Sequence, residues 1–194
     1  MSEAGERRAD ERIVLGAFDA LLARRGDPLR YGVMTDTPVG TLGLAINEAG
    51  LCRLDYTGDE EAFLDRLLRS FDRPLLRQPA ALDKVKRQLD RYFSGRSLTF
   101  DLDVDLSVVS GFSRKVLQAA TRIPPGSVLS YAEIAAKAGS RRASRAAGNA
   151  LHNNPIAIVV PCHRIVRTGG SLGGYGGGIR NKEWLLRHEG ATLI

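Results

Sequence analysis

Cysteine and histidine are scarce in this chain: there are two cysteines, Cys52 and Cys162, and three histidines, His152, His163 and His188, all beyond residue 150. Cysteines so far apart, with no CxxC pair, give no disulfide framework and no zinc site of the usual Cys-rich spacing, so no metal is expected. A bridge between the two would be rare in a reducing cytosol. Long apolar runs are missing as well. None approaches the roughly 20 residues of a membrane span, and MSEAGERRADERI at the N-terminus lacks the apolar core of a signal peptide. These absences predict a cytoplasmic protein with no membrane partner.

What is present is ordinary in amount and uneven in placement. The 194 residues suffice for one large domain or two small ones, and 43% apolar with 26% charged residues is a globular composition. Net charge is +6, but residues 110–194 hold 12 Lys or Arg against 3 Asp or Glu, a net +9, while residues 1–109 hold 16 against 19, a net −3. A basic half joined to a mildly acidic one points to a polyanion partner on one face, and nucleic acid is the commonest such partner.

Residues 11–25, ERIVLGAFDALLARR, space Ile13, Val14, Phe18, Leu21 and Leu22 as on one face of a short helix, within an N-terminal extension spanning 1–30. From Tyr31 the run TPVGTLGLAINEAGLCRLDYT breaks β-like stretches at Gly40, Gly43 and a turn from Asn47 to Gly50, which predicts an antiparallel hairpin. Helical periodicity follows over 59–70 and 80–93, and LTFDLDVDL alternates apolar and acidic residues like a half-buried strand. Residues 31–107 thus read as a small α/β unit, with Cys52 as a small core residue.

Residues 108–194 read as mostly helical. SRKVLQAATRIPPG is a helix stopped by Pro124, Pro125 and Gly126, and Ser130 with Glu133 three residues on makes a capping box. Gly139 ends that helix, and Ser140 or Ser144 caps the next, which runs to about Leu151. Two short helices joined by a few residues containing Gly fit a helix-turn-helix. GGSLGGYGGG at 169–178 has seven glycines in ten residues, either a linker or a backbone that must approach a ligand closely. NKEWLLRHEG is a final amphipathic helix ended by Gly190.

The chemistry concentrates in IVVPCHRIV, 158–166. Cys162 there is a buried structural thiol, a metal ligand or a nucleophile. A nucleophilic Cys must be a thiolate, and an unperturbed thiol near pKa 8.5 is mostly protonated at neutral pH. His163 takes the proton directly if the backbone turns at this point, since neighbours in a strand face opposite ways, or through a bridging water. A carboxylate orients an imidazole best, and only Glu133, Glu183 and Glu189 follow residue 109. Glu189 is the natural partner for His163, provided that something hydrogen-bonds it once buried.

PCHRIV at 161–166, RAAGNALHNNP at 145–155, SYAEIA at 130–135, GGYGGG at 173–178 and NKEWLLRHEG at 181–190, in this order, resemble the O6-alkylguanine-DNA alkyltransferase family. TPVGTLGLAINEAGLCRL at 37–54 matches it more loosely. The resemblance implies a ribonuclease-H-like α/β N-terminal domain, with a small antiparallel sheet, and a mostly α C-terminal domain carrying the helix-turn-helix. It implies no cofactor, and as partner double-stranded DNA containing alkylated bases, met through the minor groove by a monomer that can cooperate along the DNA.

By the same resemblance Cys162 accepts the alkyl group of O6-alkylguanine, and of O4-alkylthymine, in a single suicide turnover after base flipping. His163 would act through a water and Glu189 would hold His163. Arg145 would enter the base stack, Tyr131 would press on the adjoining phosphate and donate to the guanine ring nitrogen, and Asn154 would brace the turn between recognition helix and site. Ser130, Tyr131, Arg145, Ala146, Ala147 and Gly148 form the implied DNA-facing set. Tyr175, the backbone of Gly176, the carbonyl of Ile165 and Lys182 form the implied base pocket.

The chain also departs from the family. Residues 1–30 have no counterpart, the N-terminal zinc of some members finds no Cys and His set here, and Gly176 stands where some members have Ser, one pocket donor fewer. Three rival readings stay open: a relative that binds alkylated DNA without removing the lesion, which would lack the acceptor cysteine; a helix-turn-helix regulator bound to an operator; and a cysteine hydrolase, which would turn over.

Overall fold

The computed structural model of the chain describes residues 26–191, so the helix expected over 11–25 lies outside the described residues. Strands β1 (Leu29–Met34), β2 (Leu42–Asn47) and β3 (Gly50–Tyr56) pair antiparallel in succession. The β2–β3 turn is set by Asn47, whose side-chain oxygen accepts from the Ala49 amide at 2.9 Å, and by Gly50 at φ 127°. A bulge shifts the register between Ala45 and Ile46, leaving Cys52 as the extra residue on β3. Cys52 is buried, as expected, and burial pushes its thiol up to about 12.

The sheet is mixed rather than wholly antiparallel. A short fourth strand, β4 (Leu75–Arg77), pairs parallel to β1 and gives the order β3-β2-β1-β4. One face is covered by α1 (Glu60–Ser70), which starts where Asp59 caps the Ala62 amide at 2.8 Å. Its Phe63 and Leu67 bury against Leu29, Tyr31, Ala45 and Cys52. The other face receives a 3₁₀ turn (Pro79–Leu82) and α2 (Asp83–Phe93), whose Leu82, Val85 and Leu89 join Leu42, Leu44, Leu51 and Leu54.

LTFDLDVDL keeps its expected alternation of half-buried and exposed residues as far as Val104, with Asp105 half-buried as well, but is not a strand. It meets the sheet at one bridge, Leu51 to Val104, with Leu51 N donating to Asp103 O (2.9 Å) and Asp105 N to Leu51 O (2.8 Å). Upstream of that bridge the Gln88 side chain holds both backbone groups of Asp101. Alternation specifies which side chains are covered, whereas a strand needs a ladder partner of equal length, and β3 provides only this contact.

The C-terminal half consists of α3 (Gly111–Ala120), α4 (Tyr131–Lys137), α5 (Ser144–His152) and α6 (Ile179–His188), with two-residue strands β5 (Leu129–Ser130) and β6 (Ile165–Val166) paired in parallel. The capping box of α4 is present in full. Its C-terminus closes with Ser140 N to Ala135 O (2.9 Å) and Gly139 N to Ala136 O (3.0 Å), with Gly139 at φ 96°. This is the paired closure for which a left-handed glycine is suited. Helix α5 follows as the second member of the helix-turn-helix, but neither expected serine caps it: Ser144 is its first residue, Ala143 is the N-cap and no side chain bonds there.

The hydrophobic core does not divide at the boundary expected near residue 107. One cluster runs from Leu42, Leu54 and Leu89 through Val116, Ile134 and Ala147 to Cys162 and Leu185. The two halves are also hydrogen-bonded. Leu54 N donates to Pro155 O and Ala157 N to Leu54 O, both 2.9 Å, so the segment approaching Cys162 lies along the free edge of β3. Gly43 is the position at which α1 meets the sheet, since a Cβ there would lie 2.3 Å from the Phe63 ring. Gly43→Ala is therefore expected to destabilise the fold by about 2 kcal/mol through overpacking, read as a lowered urea midpoint with an unchanged m-value.

Candidate active site

The chain reaches Cys162 through two three-residue turns. At Ile158 φ is 68°, and Val159 N donates to Ala157 O at 2.8 Å across it, a γ-turn of the strained hand that a β-branched residue rarely adopts. At Pro161, φ −82° and ψ 65° with Cys162 N to Val160 O at 2.8 Å give the relaxed mirror form. A 3₁₀ turn over Cys162–Arg164 then replaces the strand that adjacent opposed side chains would require. Asn154 holds this approach from inside. Its Nδ2 donates to Val160 O (2.8 Å) and to Cys162 Sγ (3.1 Å), and its Oδ1 accepts from Ile156 N (3.0 Å).

His163 does not turn toward a carboxylate on its own element; it meets the end of α6. Its Nε2 lies 3.0 Å from Glu189 Oε1, with both side chains fully buried. The condition that Glu189 be hydrogen-bonded is met several times over. Arg164 Nε donates to Oε2 and Nη2 to Oε1, both 2.8 Å, and Tyr92 OH donates to Oε1 at 2.7 Å from α2. Arg164 Nη1 is itself taken up by the Ile123 carbonyl.

These contacts fix protonation states. Burial alone would raise the Glu189 carboxyl, but hydrogen bonds from His163 and Arg164, with their charge, outweigh it and hold the group at about 2. A carboxylate only accepts, so His163 Nε2 carries the proton and donates. Burial lowers His163 below its ordinary value despite Glu189, leaving a neutral ring at pH 7. Its Nδ1 then presents a lone pair, and that atom is buried with no hydrogen-bond partner among the described residues. Burial also raises the Cys162 thiol, opposed by the Asn154 hydrogen bond and the charge of Lys182. At rest the site holds a protonated thiol and a neutral imidazole with a free basic nitrogen.

Cys162 is 8% exposed and lines a cavity of about 260 Å³ together with Tyr131, Gly148, Leu151, Tyr175 and Gly176. Tyr131 reaches it from the first turn of α4, and a Cβ on Gly148 of α5 would lie 3.6 Å from the Tyr131 ring. Tyr175 is fixed through its hydroxyl, 2.8 Å from that of Tyr56 on β3. Gly177 lets Tyr56 pass, since a Cβ there would come within 2.2 Å of the ring. At Gly176 a Cβ would meet only the His152 carbonyl, at 3.6 Å, so a side chain has room there.

Other candidates fall further out. Arg145 and Ala146 are exposed on the first turn of α5, whereas Ala147 is buried in the core and its side chain cannot touch a partner in solution. The small residues expected on one contact face are thus split between two. Ser130 spends its hydroxyl on Glu133. Lys182 is buried and donates to the carbonyls of Ile165 (2.5 Å), Leu172 and Gly174, so it ties the glycine loop to β6, and burial pulls its ammonium down to about 8. Ile165 is buried outside the wall of this cavity, and its carbonyl already accepts from Lys182.

Three site residues escaped sequence reasoning: Arg164, Tyr92 and Tyr56. Arg164 carried a usable signal, because an Arg between a Cys-His pair and an apolar run must find a carboxylate if buried. Neither tyrosine carries a local signal, for each meets its partner across the two halves of the chain.

Glu189→Gln removes the only carboxylate facing Arg164 in the described site, and a loss of about 3–5 kcal/mol is expected from the stranded cation. Tyr92→Phe is expected to lower stability by about 1 kcal/mol. The signs with pH follow from the shifts. His163 lies below 6.5 in the folded protein, so the unfolded chain binds its proton first and stability falls as pH drops below about 6.5. The Glu189 contribution is fully present above its ordinary 4.5 and is lost as pH falls towards about 2. Urea titrations at a series of pH values test both, and Glu189→Gln is expected to flatten the lower limb.

Comparison with known proteins covers both halves of the chain. Sequence models of the 6-O-methylguanine DNA methyltransferase ribonuclease-like domain and of its DNA binding domain match residues 29–106 and 111–191. The methylated-DNA–protein-cysteine methyltransferase of Mycolicibacterium paratuberculosis is 40% identical over 162 residues, 81% of this chain and 93% of that protein. That of Salmonella typhimurium is 38% identical over 164 residues, 81% and 94% of the two chains. The crystal structure of Mycobacterium tuberculosis O6-methylguanine methyltransferase superposes with a TM-score of 0.70 at 36% identity, covering 84% of this chain and 92% of that one. The Mycobacterium tuberculosis OGT in complex with DNA gives 0.70 at 34% identity over 83% and 92%. Matched in both halves and over most of the length of these relatives, the chain belongs to the 6-O-methylguanine DNA methyltransferase family.

Proposed function

We propose that this protein repairs DNA by transferring the alkyl group of O6-alkylguanine, and of O4-alkylthymine, irreversibly to Cys162. The observation that carries this is a buried thiol on the wall of a cavity beside a neutral imidazole whose tautomer is fixed by an anchored carboxylate. The thiol proton passes through a water to His163 Nδ1. The sulfur lone pair forms the S–C bond in line with the departing O6, the C–O6 pair leaves with guanine, and Tyr131 donates to the ring nitrogen of that anion. The product is a thioether, which has no carbonyl for water to attack, so one molecule repairs one lesion and no cofactor is needed.

The damaged base reaches this cavity by leaving the duplex, which takes a few kcal/mol. In this reading α5 lies in the minor groove, whose degenerate readout suits a lesion that can occur in any sequence. Arg145, exposed at the start of α5, fills the vacated stack, and Tyr131 presses on the adjoining phosphate. The exposed Arg141 and Arg142 in the preceding turn add positive charge to the same end. Tyr175 and the Gly176 backbone contact the base, while the Ile165 carbonyl, taken by Lys182, helps hold the glycine loop behind that wall. Residues 31–107 and 108–194 are the proposed structural units. The protein acts as a monomer, with room for cooperation along DNA, in the cytoplasm, where a free thiol persists.

Intact mass after incubation with an oligonucleotide bearing O6-methylguanine tests the reaction. A gain of one methyl group on Cys162, absent in Cys162→Ala, is expected, and repeated turnover by substoichiometric protein would sink the suicide mechanism. Arg145→Ala is expected to slow repair in duplex DNA by about tenfold or more, as for loss of a base-stack contact, but to leave transfer from the free base near the native rate. DNA binding is expected to weaken linearly with log salt, and a flat profile would contradict phosphate contacts by the basic half.

A further inference from the structure

Arg167 follows β6 directly, at the start of the glycine loop. Its backbone is pinned by a tight turn, in which Arg167 N donates to Ser171 O (2.8 Å) and Gly170 N to Arg167 O (3.0 Å). Its side chain is exposed and makes no hydrogen bond or ion pair among the described residues. Other arginines near Cys162 are spent, Arg164 on Glu189 and both Arg53 and Arg66 on Asp55.

The Arg167 side chain runs past Tyr131, and Gly173 marks the crossing. A Cβ on Gly173 would lie 3.1 Å from the Tyr131 hydroxyl oxygen, 3.2 Å from Cε2 of its ring and 3.4 Å from Arg167 Cγ. With φ at 67° as well, the loop passes between them only as glycine. Gly148 meets the other edge of the ring, at Cδ1 and Cε1, so Tyr131 is held in a slot between α5 and the glycine loop. Its hydroxyl makes one long contact, 3.5 Å to the Gly174 carbonyl, which leaves the proton free for a better acceptor.

The charges around that hydroxyl suit an anion that forms during the reaction. Burial raises the Tyr131 phenol, the Arg167 charge pulls it down, and Cys162, as a thiolate, pushes it up. In the transfer the sulfur pair forms the S–C bond and the C–O6 pair departs with guanine, so negative charge leaves Cys162 and appears on the base. A cation beside the donor strengthens a hydrogen bond to such an anion.

We propose that Arg167 is a positioning residue for the transfer, whose guanidinium stabilises the departing guanine anion through the Tyr131 hydroxyl; the proposal rests on the alkyl-acceptor reading above, in which Tyr131 donates to that anion.

The test measures single-turnover methyl transfer from free O6-methylguanine, which has no phosphate, by the native protein, Arg167→Gln, Arg167→Lys, Tyr131→Phe and the double variant of Arg167→Gln with Tyr131→Phe. Gln and Lys both keep the Cγ beside Gly173, but only Lys keeps the charge. Arg167→Gln is expected to react about fivefold more slowly, the scale of one unit charge acting across a partly solvated site, and Arg167→Lys within about twofold of the native rate. The double variant is expected to be no slower than Tyr131→Phe alone. Equal slowing by Arg167→Gln with and without Tyr131→Phe overturns the proposal, because the charge then acts elsewhere, as on Lys182, which burial and then the Arg167 charge pull down. Slowing confined to duplex DNA also overturns it, since Arg167 is then a phosphate contact, and so does an unchanged rate on both substrates. All three results leave the alkyl-acceptor reading standing. Failure of the native protein to take methyl from O6-methylguanine in a duplex overturns that reading, and this proposal with it.

Discussion

A single buried carboxylate organises the working part of this protein. Glu189 Oε1 accepts from His163, Arg164 and Tyr92, and Oε2 accepts from Arg164 again. An ionised carboxylate stripped of water is sustained only by such a set of donors, and here they come from the reactive turn and from α2, far apart in sequence. The turn that carries Cys162, the last helix and the N-terminal half must all be in register before the charge is satisfied. Satisfying it is therefore the same event as assembling the site.

The N-terminal half contributes more than support. Its edge strand β3 bonds to the segment 155–157, from which the chain enters the γ-turn at Ile158, a conformation costing on the order of 1–3 kcal/mol that persists only if its surroundings fix it. Asn154 on one side and the β3 edge on the other supply that fixation. Tyr56 and Tyr92 then extend the same half into the site, one to Tyr175 and the other to Glu189. Cys162 and His163 lie outside that half, yet their geometry depends on it.

What could be read from the sequence divides along the same line. Features closed within a few residues were legible: the Ser130–Glu133 capping box, the Gly139 stop, and the hairpin turn at Asn47. Glu189 was legible because so few acids occur in the basic half. The start of α5 was misread, since two serines within five residues offered caps and neither is used. Strand β4 was missed because three residues are too few to show a period. The residues LTFDLDVDL revealed their burial but not their pairing, which is a property of the partner strand. Tyr56 and Tyr92 reach the site through contacts between the halves, and no pattern along one segment encodes those.

The anchoring of Glu189 also decides the state in which His163 rests. A carboxylate with no other donors would stabilise an imidazolium and raise the basicity of the ring. Here Oε1 is already engaged by Arg164 and Tyr92, the cation of Arg164 lies against the same group, and burial dominates, so His163 falls below its ordinary value. The carboxylate sets the tautomer rather than the charge, aiming an Nδ1 lone pair into the buried site. Such a ring takes a proton briefly and passes it on. A turnover enzyme must store that proton and return it to a leaving group or an intermediate, but a thiol consumed in forming a thioether never takes its proton back. For the single-use reaction proposed for Cys162, a weakly basic, firmly oriented imidazole is thus sufficient.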